Sequence, residues 1–102
     1  MTNERLTALL AEKVMKWKVC PDRFIKPSRS WIPKWRFEPL ARLEDAFLLL
    51  DKAGGTYSLS FDAAGTFTAE IRIGQHIGKS SGEPKARAIT LAISQALGIG
   101  TV

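Results

Sequence analysis

Around Gly54 and Gly55 the hydrophobic period of this chain changes, and that change limits the fold more than any other feature. Before it, Leu40, Leu43, Phe47 and Leu50 recur at about every 3.6 residues, the spacing of one helical face. After it, Tyr57, Leu59 and Phe61 alternate with Ser58 and Ser60. Phe67, Ala69, Ile71 and Ile73 then alternate with Thr68, Glu70 and Arg72. Alternation by two belongs to strands with one apolar face. The "DAAG" run at 62–65, with Gly65 able to take a positive φ, joins the two strands. The spacing therefore predicts a helix over about 39–53, with Pro39 in its first turn, and a β-hairpin over 56–74. A short further strand is expected near Gln75–Ile77.

Two more helical stripes flank this centre. Leu6, Leu10, Val14 and Trp17 line one face of a helix over about 3–18, with Thr2 or Asn3 as cap and Pro21 as stop. Ala88, Ile89, Ala92, Ile93, Ala96 and Leu97 line a helix over about 83–98. Pro84 suits its first position, Ser80 or Ser81 with Glu83 offers capping groups, and Gly98 suits its end. The small residues on that stripe let the helix lie close to a sheet. The expected class is α+β, a small antiparallel sheet packed with three helices in the order α-(β)-α-β-β-α. The 102 residues fit one domain, 1–102. Leu59, Phe61, Ala69 and Ile71 are expected to share a buried face with Leu10, Phe47, Ile89 and Ile93.

Residues 19–38 have three prolines and no sustained period, so they are expected as an irregular segment that holds at most short edge strands. Charge concentrates here. Residues 13–36 carry eight Lys/Arg and one acid, Asp22, a net +7, while the rest of the chain carries seven positives and nine negatives, a net −2. Within this window "SRSWIPKWRF" holds Trp31 and Trp35 among Arg29, Lys34 and Arg36. Three readings compete. The tryptophans cover the core and the charges are only solvated; bases stack on the rings while phosphates meet the cations; or the segment anchors a protein interface, where Trp and Arg dominate. The candidate partner-binding residues are Arg23, Lys26, Arg29, Trp31, Lys34 and Arg36.

Catalytic and metal chemistry find little footing. His76 is the single histidine and has no ligand partner at metal spacing, so no metal is expected. Cys20 is the single cysteine, which rules out an intramolecular disulfide and fits a reducing compartment. Glu44 and Asp45 are adjacent and diverge by about 100° on a helix, too far to act as a carboxylate pair. "GKSSGEPK" lacks phosphate-loop spacing, yet a loop of Gly78, Lys79, Ser80 and Ser81 with Lys85 before a helix is a candidate anion site. A plain capped helix start is the ordinary alternative. No cofactor and no enzymatic activity are expected. With no signal-peptide pattern and no apolar run of about 20 residues, a cytoplasmic protein that avoids membranes is expected.

Taken together, "LLAEKVMKWKV", "WRFEPLARLEDAF", the hairpin and "GEPKARAITLAISQALG" resemble the phage ABA sandwich domain family, small proteins of phages and prophages. Val14, Met15 and Trp17 match its Val-Met-Gly-Trp-like helix end, with Lys16 where a glycine is common; Ala88, Ile89, Leu91 and Ala92 are similar to its Ala-Ile-x-Leu-Ala signature. The resemblance spans nearly the whole chain and implies a sheet lying between helices. It carries no established activity, so no site residue follows from it. Gly78, Lys79, Lys85, Ala86 and Arg87 are also similar to the basic approach to the last helix of a double-stranded RNA-binding domain. That second likeness lacks the domain's paired lysines and has an extra helix at 39–53. The expected function is a non-catalytic phage accessory protein that binds an acidic macromolecule of host or virus, by inhibition of a host-defence complex in one form. Direct nucleic-acid binding and capture of a small anionic nucleotide are the alternatives.

Overall fold

Thr2 Oγ1 accepts the Arg5 N–H at 3.1 Å and so starts α1 (Asn3–Lys13). The structure, a computed structural model, describes residues 2–99. The helix stops at Lys13 instead of running to residue 18. Val14 closes the last helical bond to Leu10, Lys16 takes a left-handed φ of 62°, and the Trp17 N–H turns back to the Ala11 carbonyl at 3.0 Å. The reason lies in packing. Met15 and Trp17 are both buried. On a continued helix, residues two apart would point about 200° away from each other, so only one could reach the core. The left-handed residue costs an L-amino acid about 1–2 kcal/mol. Lys16→Gly is therefore expected to raise the unfolding free energy by about 0.5–1 kcal/mol, less than the full strain because glycine gains unfolded-state entropy. Urea denaturation checks this; a loss of stability would mean that the Lys16 side chain matters more than its backbone.

The stretch read as irregular forms a small antiparallel sheet. Its strands are β1 (Lys18–Val19), β2 (Arg23–Ile25) and β3 (Trp31–Pro33), in the order β1-β2-β3. Phe24 pairs with Val19 and Ile32, and Ile25 with Lys18 and Trp31, so successive residues face opposite sides. Phe24 is buried; Trp31 and Lys18 are not. A 3₁₀ turn, Lys34–Arg36, follows.

Pro39 does not open the next helix. Residues Pro39–Ala41 form a turn, and α2 (Leu43–Ala53) begins after an extended Arg42. Two contacts hold this turn off the helix axis. Asp45 Oδ2 accepts the Glu38 N–H at 2.9 Å, and the buried Thr90 hydroxyl donates to the Pro39 carbonyl at 2.6 Å. The hairpin is present as β4 (Thr56–Phe61) and β5 (Phe67–Ile73), and the third strand is longer than expected, β6 (His76–Ser81). The order of this second sheet is β4-β5-β6, all antiparallel. The last helix, α3 (Lys85–Leu97), follows Pro84, which caps it from outside instead of taking the first helical position.

The helix α3 is the hub. Ala86, Ala88, Ile89, Thr90, Ala92, Ile93, Ser94 and Ala96 are all buried, so its faces pack almost all round. Ala92 and Ala96 lie against Gly78 of β6, which lets helix and sheet approach closely, as the small-residue stripe predicts. The α+β class stands. The shared buried face is present in Leu10, Ala69, Ile71, Ile89 and Ile93, whereas Phe47 and Leu59 are half-buried and Phe61 is exposed. Phe61 does point to the predicted side, opposite Phe67. It stays exposed because the apolar face of α3 packs on β5 and β6, and only Lys85 of that helix reaches the ring at the β4 edge. A sheet between helices is not formed either. The outward side chains of the second sheet, Ser58, Glu70, Arg72 and Lys79 among them, are solvent-exposed, so among the described residues helices cover one face.

Candidate interaction surface

Three rings fix the first sheet to the core. Trp17, Phe24 and Phe37 pack together at centroid separations of 4.9–5.9 Å, with both contacts of Phe37 edge-on. This cluster explains why the basic window needs so many aromatics, and it leaves Trp31 and Trp35 out. Trp31 is 53% exposed and Trp35 60% exposed. The reading in which these two tryptophans cover the core is thus corrected: Trp17, Phe24 and Phe37 do that work.

On the outward face of the first sheet, the Arg23 guanidinium stacks over the Trp31 ring at 4.4 Å. Asp22 holds that guanidinium by two bonds, Nε to Oδ1 at 3.1 Å and Nη2 to Oδ2 at 2.8 Å. The hydrogen bond from Arg23, and then its charge, hold the Asp22 carboxyl below the usual carboxylate range. Because the folded value is lowered, the pair persists at neutral pH and gives way only as pH falls through the lowered value. Lys18, beside Ile25, shares this face. The β2–β3 turn extends it. Ser30 O accepts the Lys26 N–H at 2.8 Å, Lys26 O accepts the Arg29 N–H at 2.9 Å, and Arg29 takes a φ of 70°. Lys26 Nζ also lies 5.6 Å from the Trp17 ring centroid.

Lys34 and Arg36 belong to a different region. Lys34 Nζ lies over Phe24, on the inward side of the sheet, and Arg36 sits 5.6 Å from the exposed Trp35 ring. Lys34 and Trp35 line a cleft of about 400 Å³ with Asn3, Glu4 and Thr7 of α1, over a floor of Phe24, Phe37 and Leu40. Glu4 and Glu38 line the same cleft. Its charge is mixed, so it offers an anion less than the outward face does. The six predicted residues therefore split: Arg23 and Trp31 share the outward face, Arg29 lies in the adjoining turn, Lys26 reaches from that turn to the inward ring of Trp17, Lys34 lines the cleft, and Arg36 sits beside Trp35. Lys18 was missed as a member of the face. The β1–β2 register places it there, and the sequence does not state that register. The role of Asp22 was legible from its adjacency to Arg23.

The reading of Gly78, Lys79, Ser80 and Ser81 as a loop, on which the second candidate site stood, is corrected. Gly78, Lys79, Ser80 and Ser81 lie in β6 and pair with Ile71, Glu70, Ala69 and Thr68. Their backbone follows a ladder instead of curling round a ligand. The Lys79 N–H donates to Gln95 Oε1 at 3.0 Å, and Lys85 Nζ lies 5.0 Å from the Phe61 ring centroid. The serines do not cap α3, whose first turn has no side-chain cap.

No family model and no curated protein matches this chain. Among solved structures, the fold is similar to that of a phage protein from Bacillus cereus ATCC 14579, with a TM-score of 0.76 at 15% identity, over 100% of this chain and 93% of that one. No helix among the described residues is long and apolar enough to cross a membrane.

Proposed function

We infer that this chain is a phage- or prophage-encoded accessory protein that works by binding, without catalysis, an acidic protein surface in the host cytoplasm. The fold likeness to a phage protein supports the origin. The observation that carries the binding mode is Trp31: a half-exposed indole, braced on one side by a guanidinium that Asp22 already holds in place. A braced aromatic loses little entropy on docking, and Trp beside Arg is the usual composition of an interface anchor. Lys18 on the same face, with Lys26 and Arg29 of the adjoining turn, supplies the field that speeds encounter with a negative partner. Inhibition of a host-defence complex is the biological form of this reading, and it rests on the phage association alone.

A protein partner is favoured over nucleic acid by the state of Arg23. Asp22 occupies the Nε–Nη2 edge of Arg23, so a phosphate meets only the remaining Nη1 side of the guanidinium unless it displaces the carboxylate. The test is affinity capture from a host lysate with the tagged chain, followed by mass spectrometry, nuclease treatment and kinetics on the captured partner. Trp31→Ala is expected to speed dissociation by about 30-fold, the equivalent of about 2 kcal/mol. Lys26→Glu with Arg29→Glu should slow association by about tenfold, and added salt should reproduce the slowing in the parent chain. Normal binding by both variants would remove this face from the interface. Capture that nuclease abolishes would transfer the reading to nucleic acid.

A further inference from the structure

Among the described residues the second sheet has two edges, and one of them is unguarded. The hydrogen-bond parity of its ladders identifies the free groups. Asp62 N–H donates to Thr66 O at 3.1 Å, and antiparallel pairs alternate, so Ser60–Thr68 and Ser58–Glu70 are bonded pairs. The backbone N–H and C=O of Tyr57, Leu59 and Phe61 therefore point out of the sheet. On the other side Gly82 N–H donates to Phe67 O at 2.9 Å, which directs the backbone of Ile77, Lys79 and Ser81 outward. That β6 edge is blunted: Gln95 takes the Lys79 N–H, and the strand carries a lysine. The β4 edge has none of the usual guards. Its sequence, Thr-Tyr-Ser-Leu-Ser-Phe, has no charge and no proline, and all six residues pair in regular register with β5, without a bulge.

The geometry points to a second copy of this chain as the occupant of β4, joined by antiparallel pairing of β4 with its own twofold mate. The strand is self-complementary about Leu59. Setting Leu59 opposite the partner copy's Leu59 places Tyr57 opposite Phe61 and Phe61 opposite Tyr57, so every outward-pointing backbone group meets its counterpart in a bonded pair. The same register sets Ser58 opposite Ser60 on the solvent side, which puts no like charges across the seam. This matters in a chain of net charge +5, whose copies repel one another. On the inner side the pairing joins Tyr57, 54% exposed, with Phe61, 57% exposed. Each already has a ring neighbour in its own chain, Phe47 at 6.1 Å and Phe67 at 5.4 Å, so the apolar layer left bare by α3 continues from one copy into the next.

The test uses the full chain in sedimentation equilibrium from micromolar to millimolar concentration, with amide hydrogen exchange at both limits. A monomer–dimer equilibrium is expected, with protection of the Tyr57, Leu59 and Phe61 amides rising with concentration. Leu59→Lys places two ammonium groups opposite each other at the axis and should weaken the dimer at least about tenfold, the equivalent of about 1.4 kcal/mol. Leu59→Pro removes the central outward N–H without touching the β4–β5 ladder and should do the same. Should either variant unfold, exchange in the parent chain still decides. A parent chain that stays monomeric at millimolar concentration overturns the proposal. So does a dimer whose β4 amides stay unprotected, or one that both variants leave intact. Protection of those amides only in a complex with a different protein would also overturn it.

Discussion

Gly78→Ala is expected to prevent stable folding, or to lower the unfolding free energy by more than about 4 kcal/mol, a size reserved for a few mechanisms. A Cβ on Gly78 would stand 1.8 Å from the Ala92 carbonyl oxygen and 2.8 Å from both the Ala92 carbonyl carbon and the Ala96 nitrogen. All three atoms are helix backbone, so no side-chain rotation relieves the clash. The helix α3 must move off β6. It is buried on nearly every face, and the shift would open its contacts with both β5 and β6. Small domains hold about 5–15 kcal/mol in total, so little would remain. Circular dichroism melts of the parent chain and the variant check this. Ala92→Gly should not rescue Gly78→Ala, because the obstructing atom is the carbonyl and not the Ala92 methyl. A variant that melts within a few degrees of the parent would mean that α3 does not lie this close to the sheet.

Phe37→Ala is expected to cost about 3–5 kcal/mol. Phe37 is fully buried, with its ring edge-on to Trp17 at 4.9 Å and to Phe24 at 5.9 Å. It joins three elements: the end of α1, the first sheet and the 3₁₀ turn that carries Trp35. Truncation leaves a hole under that sheet, which has only short strands and few ladder bonds of its own. Phe37→Leu, which fills most of the hole, should recover well over half of the loss. Urea denaturation of both variants gives the two numbers. If alanine costs less than about 1 kcal/mol, the sheet is held by its backbone and not by the aromatic cluster. Because Phe37 lies beneath the interaction surface without reaching it, the leucine variant should keep partner binding close to the parent's.

These two residues also mark how far the sequence alone could be read. Phe37 sits two positions from Trp35 in a segment with no sustained period, and Trp17 continues the stripe of α1 although the helix stops at Lys13. Nothing local distinguishes the ring that is buried from the ring that is exposed. A chain that reverses at Lys16 can bury Met15 and Trp17 together, and a short strand can turn Phe24 inward and Trp31 outward, but both choices depend on what lies across the space. Gly78, Lys79, Ser80 and Ser81 read as a loop because none of them favours a strand. They form one because α3 requires a flat, close surface beside β5, and only a residue without a side chain allows it.

Local order was decided within the chain wherever one period ran long enough to be seen. The stripes of α2 and α3, the alternation of β4 and β5, and the glycine ends of the helices needed nothing else, since each is a short-range consequence of residue geometry. The basic window could also be located, because charge is counted without coordinates. Which tryptophans face solvent, which cations gather around Trp31, and which strand is left at the open edge were decided by tertiary structure. Each depends on where α3 and the Trp17–Phe24–Phe37 cluster run out of surface to cover, and that limit is set by contacts between segments far apart in the chain.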